Sequence, residues 1–111
     1  MAVRTRVRTA PLELPEILRV LGDPTRLEIV RLLSDGRVRT SGEVAEHVRL
    51  PASTCSYHMK QLLDAGVTEC RIDGTTRYPI LRRAVLDEQL PGLLSLIEPQ
   101  VAAAATAVAG A

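Results

Sequence analysis

The chain has 111 residues, enough for one domain of the usual ~100–200 residues. It contains two Tyr and no Phe or Trp, so its core must be formed by Leu, Ile, Val and Ala. Its net charge of +1 excludes neither nucleic-acid nor protein partners. With no apolar run near the roughly 20 residues that span a bilayer and no secretory signal pattern, we expect a cytoplasmic protein without a membrane partner.

Residues 1–10 contain three arginines and no acid, and they show no helical stripe. We therefore expect a flexible basic arm over 1–10. It precedes a domain over residues 11–98, and an Ala-rich tail occupies residues 99–111.

Two helices are predicted next. Apolar side chains recur at helical spacing over about 12–21. Asp23-Pro24 then predicts a second helix, because Asp is a good N-cap and Pro is tolerated at the first helical position. Apolar residues cover more than one face of this second helix, so we expect it to be central and buried. It ends at Ser34-Asp35-Gly36.

A helix-turn-helix is indicated by the segment that follows. Thr40 and Glu43 have the spacing of a capping box and begin the third helix. Leu50-Pro51 leaves room only for a tight turn. The fourth helix is predicted over about 52–65, with Gly66 as its C-terminal stop.

A β-hairpin is predicted directly after the fourth helix. Asp73-Gly74 is a typical hairpin turn sequence, because both central positions of such a turn favour positive φ. It lies between predicted strands over residues 67–72 and 75–80. Helical character returns from Leu86 to Ile97, interrupted by Pro91-Gly92, and the last firm helix is expected to start near Leu90. The predicted fold class is mostly α with a small β-hairpin, a winged helix-turn-helix in the order α-α-α-α-β-β-α.

Charge and helical spacing point to a nucleic-acid surface on the fourth helix and hairpin. From residue 49 to residue 83, six basic residues outnumber three acidic ones, which attracts a polyanion. Ser53, Ser56, Tyr57 and Lys60 share one polar helix face, opposite an apolar face that contains Cys55. Short hydroxyls near a helix N-terminus suit base edges or phosphates, and Lys60 suits a phosphate.

The chain resembles the ArsR/SmtB family of bacterial winged-helix repressors over roughly residues 14–97. The resemblance is carried by LGDPTRLEIVRLL, GEVAEHV, STCSYHMKQLLDAGV and RIDGTTRYPI. It implies a homodimer joined through the first and last helices on a two-fold symmetric operator. It also implies that Ser53, Ser56 and Tyr57 face the major groove, while Arg71 and Arg77 on the wing approach the backbone or minor groove. Tyr57 stands where many relatives have His or Arg.

The predicted DNA-binding residues are therefore Thr40, Ser53, Thr54, Ser56, Tyr57, His58, Lys60, Arg71 and Arg77.

The metal sites known in this family are not present in the sequence. The stretch RTSGEVAEHV lacks the Cys-x-Cys motif, and LDEQLPGLLSLIE lacks histidine. The weak metal candidates that remain are His47, Cys55 and His58, whose donors would suit a transition metal such as Ni or Zn. We expect Cys55 to be a buried apolar side chain. Cys70 is the better candidate for an exposed, oxidisable thiol.

The predicted function is sequence-specific binding of double-stranded DNA in transcriptional regulation, usually repression in the family, with a metal or redox response through a nonstandard site as an open option. Two alternatives stay open: a regulator without its own sensor that is controlled by a partner protein, and a protein-interaction module with the same fold. An enzyme is not expected, because the chain has no nucleophile elbow, no phosphate-binding glycine loop and no carboxylate pair near a His.

Overall fold

The computed structural model describes residues 3–98, which form three strands and six helices. In chain order they are β1 (Arg4–Arg6), α1 (Leu14–Leu21), α2 (Pro24–Leu33), α3 (Ser41–Val48), α4 (Ala52–Ala65), β2 (Thr68–Asp73), β3 (Thr76–Leu81), α5 (Arg83–Gln89) and α6 (Leu93–Ile97). The predicted fold class is confirmed, with β1 and α5 as additions. The predicted Ala-rich tail lies outside the described residues.

The helix boundaries follow the predicted capping signals. The Asp23 carboxylate accepts hydrogen bonds from the backbone N–H groups of Thr25 (2.8 Å) and Arg26 (3.1 Å) and caps α2. Both bonds of the capping box between Thr40 and Glu43 are formed at the start of α3. Gly66 ends α4 with φ of 89°, a conformation that costs a residue with a Cβ about 1–2 kcal/mol.

One apolar core joins all six helices. Its fully buried side chains come from α1, α2, α3, α4 and α5, and α6 adds Leu94 and Ile97. The members with no solvent exposure are Ile17, Val20, Ile29, Val30, Val44, Cys55, Leu62, Ala65 and Leu86. The predicted burial of α2 is confirmed by Ile29, Val30 and Leu33. Within residues 3–98, no helix combines the length and the apolar character that crossing a membrane would require.

The sheet has three antiparallel strands in the order β1-β2-β3. The prediction of a flexible arm over 1–10 is wrong for residues 4–6, because they pair with the edge of β2, Arg4 opposite Ile72 and Arg6 opposite Cys70. The physical reason is twofold. Val3, Thr5 and Val7 alternate with arginines in a strand-like pattern, and β2 offers unpaired backbone groups at its free edge.

The arm is also anchored by Arg8. Its guanidinium donates to Glu16 Oε2 on α1 at 2.9 Å and to the backbone oxygen of Asp64 at 3.1 Å. These contacts hold the residues after β1 against α1 and the end of α4.

The hairpin turn is shifted by one residue from its predicted position. Asp73 pairs with Thr76, so Gly74 and Thr75 are the central turn residues. Of these two, only Gly74 has a positive φ, 63°. This pattern is typical of a type II′ turn, which requires glycine only at its first central position.

The last part of the described chain differs from the prediction of one helix starting near Leu90. A short helix, α5, comes first and ends at Gln89, and α6 starts at Leu93. Gly92, with φ of 88°, separates them. The start near Leu90 is therefore wrong, because Pro91-Gly92 breaks the helix rather than extending it.

Candidate nucleic-acid interface

The two faces of α4 have the environments that its sequence predicts. Cys55 and Leu62 are completely buried and attach α4 to the core. The opposite face is open to solvent and carries Ser53, Thr54, Ser56, Tyr57 and Lys60. Tyr57 is the largest of these side chains and is 57% exposed.

The N-terminus of α4 adds backbone donors to this face. The helix begins after Pro51, and no side-chain hydrogen bond caps its first turn in the part of the chain that the structure describes. The first N–H groups of a helix have no partner within the helix, and the helix dipole gives this end a partial positive charge. The exposed hydroxyls of Ser53 and Thr54 therefore lie where an anion is favoured.

His58 has a structural contact that the sequence did not reveal. Arg26 on α2 donates from Nε to His58 Nδ1 at 3.1 Å, so Nδ1 acts as an acceptor and Nε2 is left as a donor. The His58 ring also meets Tyr57 edge to face, with ring centroids 5.5 Å apart. His58 thus positions the Tyr57 ring as well as lying beside the exposed face.

Thr40 lies near this surface, but its hydroxyl already accepts the backbone N–H of Glu43 at 3.1 Å. The hydroxyl proton stays available for a phosphate. The next residue, Ser41, donates from its side chain to the backbone oxygen of Arg77 at 3.3 Å. This bond attaches the start of α3 to the wing, defined here as β2, the turn and β3.

The two predicted wing arginines lie on opposite faces of the sheet. Arg71 pairs with Tyr78, whereas Arg77 pairs with Ile72, and directly opposed residues of antiparallel strands share a face. Only Arg77 is on the side of α4. Arg71 faces the loop between α2 and α3, near Arg37.

A groove of about 210 Å³, called here the α4–wing groove, separates α4 from the sheet. Its charged and hydroxyl side chains include Arg6, Ser56, Lys60, Asp64, Glu69 and Arg77. Lys60 and Asp64 form an ion pair of 2.9 Å, but their side chains are 70% and 54% exposed. An exposed pair of this kind contributes little to stability, so Lys60 can exchange Asp64 for a phosphate.

Sequence reasoning missed three residues of this surface: Arg6, Arg26 and Ser41. The alternation of β-branched residues in Val3–Val7 was a usable signal for Arg6. No local signal exists for the Arg26–His58 and Ser41–Arg77 contacts, because they join residues 32 and 36 positions apart.

The candidate metal ligands are not brought together. Cys55 is buried in the core, where desolvation raises the pKa of its thiol and disfavours the thiolate that binds metals. His47 is exposed on α3, and His58 Nδ1 is already bonded to Arg26. Within residues 3–98, no group of three His, Cys, Asp or Glu side chains could hold a metal ion. Among residues 3–98, His47, Cys55 and His58 therefore do not form a shared set of metal ligands.

Comparisons with known proteins agree with the geometry. A helix-turn-helix domain model matches residues 21–71. The chain is 39% identical over 83 residues to the uncharacterized HTH-type transcriptional regulator YceK of Bacillus subtilis, covering 74% of this chain and 83% of that protein. It is 38% identical over 81 residues to the arsenical resistance operon repressor of Staphylococcus aureus, covering 73% and 77%.

A solved structure supports the same fold. The homodimeric winged helix-turn-helix DNA-binding domain from Mycobacterium bovis superposes with a TM-score of 0.63 at 24% identity and covers 75% of each chain.

Proposed function

The chain belongs to the ArsR/SmtB family of winged helix-turn-helix regulators and is a DNA-binding transcriptional regulator, and we propose that it is a repressor that binds a two-fold symmetric operator as a homodimer. It would act in the cytoplasm, where bacterial and archaeal chromosomes lie.

The observation that carries this proposal is the solvent-exposed polar face of α4 beside the wing, which places Arg77 on the α4 side. A helix held by its apolar face on a core, with its N-terminal turn exposed, has the geometry of a recognition helix. Ser53, Ser56 and Tyr57 would contact base edges in the major groove. Lys60 and Arg77 would contact phosphates from the two sides of the α4–wing groove.

The remaining predicted residues take secondary roles. Thr40 and Thr54 would donate to phosphates with their hydroxyls, and His58 would donate from Nε2 while it supports Tyr57. Arg71 would reach DNA only from the far face of the wing. We therefore expect Arg71 to contribute less than Arg77.

A homodimer is supported by an apolar patch on α1 and α6. Leu14, Leu18 and Leu96 are 47%, 55% and 71% exposed, an unusual arrangement of large apolar side chains for a monomer. The Mycobacterium bovis neighbour is a homodimer. Pairing two protomers through α1 and α6 would place two α4 helices on half-sites about 34–36 Å apart.

In vitro selection from a randomised duplex library, followed by gel-shift titration, tests the proposal. We expect a selected site with two-fold symmetry and an affinity that falls steeply with salt, because bound cations release counterions from DNA. Tyr57→Ala should lose discrimination between selected and unrelated duplexes. Lys60→Ala and Arg77→Ala should weaken binding to both duplexes about equally.

Arg71→Ala is the matched control for Arg77→Ala, since it removes the same charge from the opposite face. Absence of any duplex enriched by selection would contradict the proposal and would favour the protein-interaction module. Unchanged binding in Tyr57→Ala, Lys60→Ala and Arg77→Ala together would show that α4 does not face DNA.

One relative is an arsenical resistance operon repressor, so control of DNA binding by a metal ion has to be considered for this chain. We propose that no metal ion bound within one protomer controls this regulator, since His47, Cys55 and His58 do not converge among residues 3–98. Calorimetric titration of reduced protein with Ni, Zn, Cd and arsenite should show no stoichiometric binding. Stoichiometric binding that releases DNA would contradict this and would place the site between protomers.

A further inference from the structure

Strand β1 turns the two-stranded wing into a three-stranded sheet with additional positive charge. Its three residues, Arg4 to Arg6, are all exposed. They pair with β2 on the side away from β3, so β1 is an outer strand of the sheet. Among the residues 3–98, the side chains of Arg4 and Arg6 make no hydrogen bond or ion pair, in contrast to Arg8, which is bonded to Glu16.

The strand register places these two arginines on the α4 side of the sheet. Arg4 lies opposite Ile72, which lies opposite Arg77, so Arg4 and Arg77 flank Ile72 on the same face. Arg6 lies opposite Cys70 on that face and lines the α4–wing groove together with Ser56 and Lys60.

Charge in this region favours an anion, although acids are present. Arg4, Arg6, Lys60 and Arg77 lie on or beside the groove, which also contains Asp64 and Glu69. Lys60 is paired with Asp64. The arginines of β1 therefore leave an excess of positive charge on the face that the proposed function directs toward DNA.

We propose that β1 is a third DNA-binding strand of the wing, and that Arg4 and Arg6 bind phosphates of the duplex beside those contacted by Lys60 and Arg77. The inference rests on the proposed function. Phosphates rather than bases are the expected ligands, because both side chains leave a strand at the edge of the sheet and not the helix that enters the groove. Pairing with β2 and the anchor at Arg8 hold the backbone of Arg4 and Arg6 in place before DNA binds, which reduces the backbone entropy lost on binding.

The test compares wild-type protein with Arg4→Ala/Arg6→Ala on the selected duplex and on an unrelated duplex of equal length. A dimer of this variant lacks four cations, and each neutralised phosphate contributes about 0.9 to the slope of log affinity against log salt. We expect the slope to become shallower by about 3.6 if all four arginines bind phosphates. Affinity for both duplexes should fall at least about tenfold, and the ratio between them should stay unchanged.

Three further variants serve as controls. Arg4→Lys/Arg6→Lys keeps the charge and should keep most of the affinity. The single variants Arg6→Ala and Arg37→Ala each remove one arginine, from opposite sides of the sheet, and Arg37→Ala should change the slope less. Circular dichroism melting checks that each variant is folded.

The failure of this inference differs from the failure of the proposed function. If wild-type protein binds its selected duplex and Arg4→Ala/Arg6→Ala binds with the same affinity and salt slope, β1 does not contact DNA, while the proposed function stands. If wild-type protein enriches no duplex, both are wrong.

Discussion

The two cysteines lie in opposite environments. Cys55 is completely buried in the core, and this burial raises the pKa of its thiol. Cys70 is partly exposed on β2 and lines the α4–wing groove. Since the thiolate is the reactive form, burial protects Cys55 both by excluding reagents and by disfavouring ionisation.

We therefore expect iodoacetamide to alkylate Cys70 in the native protein at least about a hundredfold faster than Cys55, which reacts only when the core opens. Mass spectrometry of a time course measures both rates. Cys70→Ser should lack the fast phase, and denaturant should make the two sites react alike. Equal native rates would show that the apolar face of α4 is not packed as described.

Asp23 links helix capping to acid stability. Desolvation alone would raise the pKa of its carboxyl group, but hydrogen bonds from the backbone N–H groups of Arg26 and Thr25 outweigh this, and the pKa lies below its usual 3.8. A group whose pKa is lowered by folding adds stability above its usual pKa, and this stability is lost as pH falls through the folded-state value.

The contribution of Asp23 to the free energy of unfolding should thus be steady between about pH 7 and 5 and should fall below about pH 4. Asp23→Asn keeps an oxygen that can cap α2 but cannot titrate. Urea titrations at a series of pH values should show a shallower acid decline for Asp23→Asn than for wild type. Parallel curves would mean that the Asp23 charge does not stabilise α2.

At the level of elements, the sequence predicted α2, α3 and α4 well, because each of these helices has recognisable capping residues at one of its ends. Asp23, the pair Thr40 and Glu43, and Gly66 act within a few residues of their own position. The polar face of α4 followed from the helical repeat alone. These features depend on chemistry that is visible within one turn of the chain.

Features that depend on distant partners were predicted poorly. Strand β1 exists because β2 offers an edge more than 60 residues later, and its arginines looked like part of a flexible arm. The one-residue shift of the turn changes the partners of Arg71 and Arg77, although it leaves the two arginines on opposite faces, as in the predicted pairing. Helix α5 has only Leu86 as a buried residue and gives little periodic signal.

Gly66 lies between α4 and β2 and packs against the segment that links β1 to α1, which gives a prediction at this scale. Its φ is 89°, and an added Cβ would lie 2.4 Å from Leu12 Cδ2 and 3.2 Å from Arg8 Cδ. Gly66→Ala should lose about 1–2 kcal/mol from the strained backbone and about 1–3 kcal/mol more from overpacking. Denaturant unfolding measures the loss, and hydrogen exchange should show weaker protection between β1 and β2.

Gly36→Ala is the matched control, because Gly36 has φ of 77° and nothing within 4 Å of an added Cβ. It should show only the backbone cost. Equal losses in the two variants would mean that the arm does not pack against Gly66.

For the whole molecule, the proposed function requires both the apolar patch on α1 and α6 and the exposed face of α4. In the proposed homodimer each protomer would contact one half-site, and linking two protomers would make binding of the second half-site effectively intramolecular. The patch includes Leu18 and Leu96, and beside them is a shallow depression lined by Leu21, Leu27 and Leu93. A chain of this size buries a limited fraction of its apolar surface on folding, and burying this patch between protomers would add to that fraction.

Leu18→Glu should therefore separate the protomers, because a carboxylate in a closed apolar interface has no partner and is costly to desolvate. Sedimentation should show a monomer at concentrations where wild type is a dimer, and operator affinity should fall at least about a hundredfold. Val38→Glu is the matched control, since Val38 is 71% exposed in the loop between α2 and α3, outside the patch. It should stay dimeric and bind DNA as wild type does. A Leu18→Glu protein that remains a dimer with full affinity would show that another surface joins the protomers, and that the two α4 helices are spaced differently from the half-sites expected here.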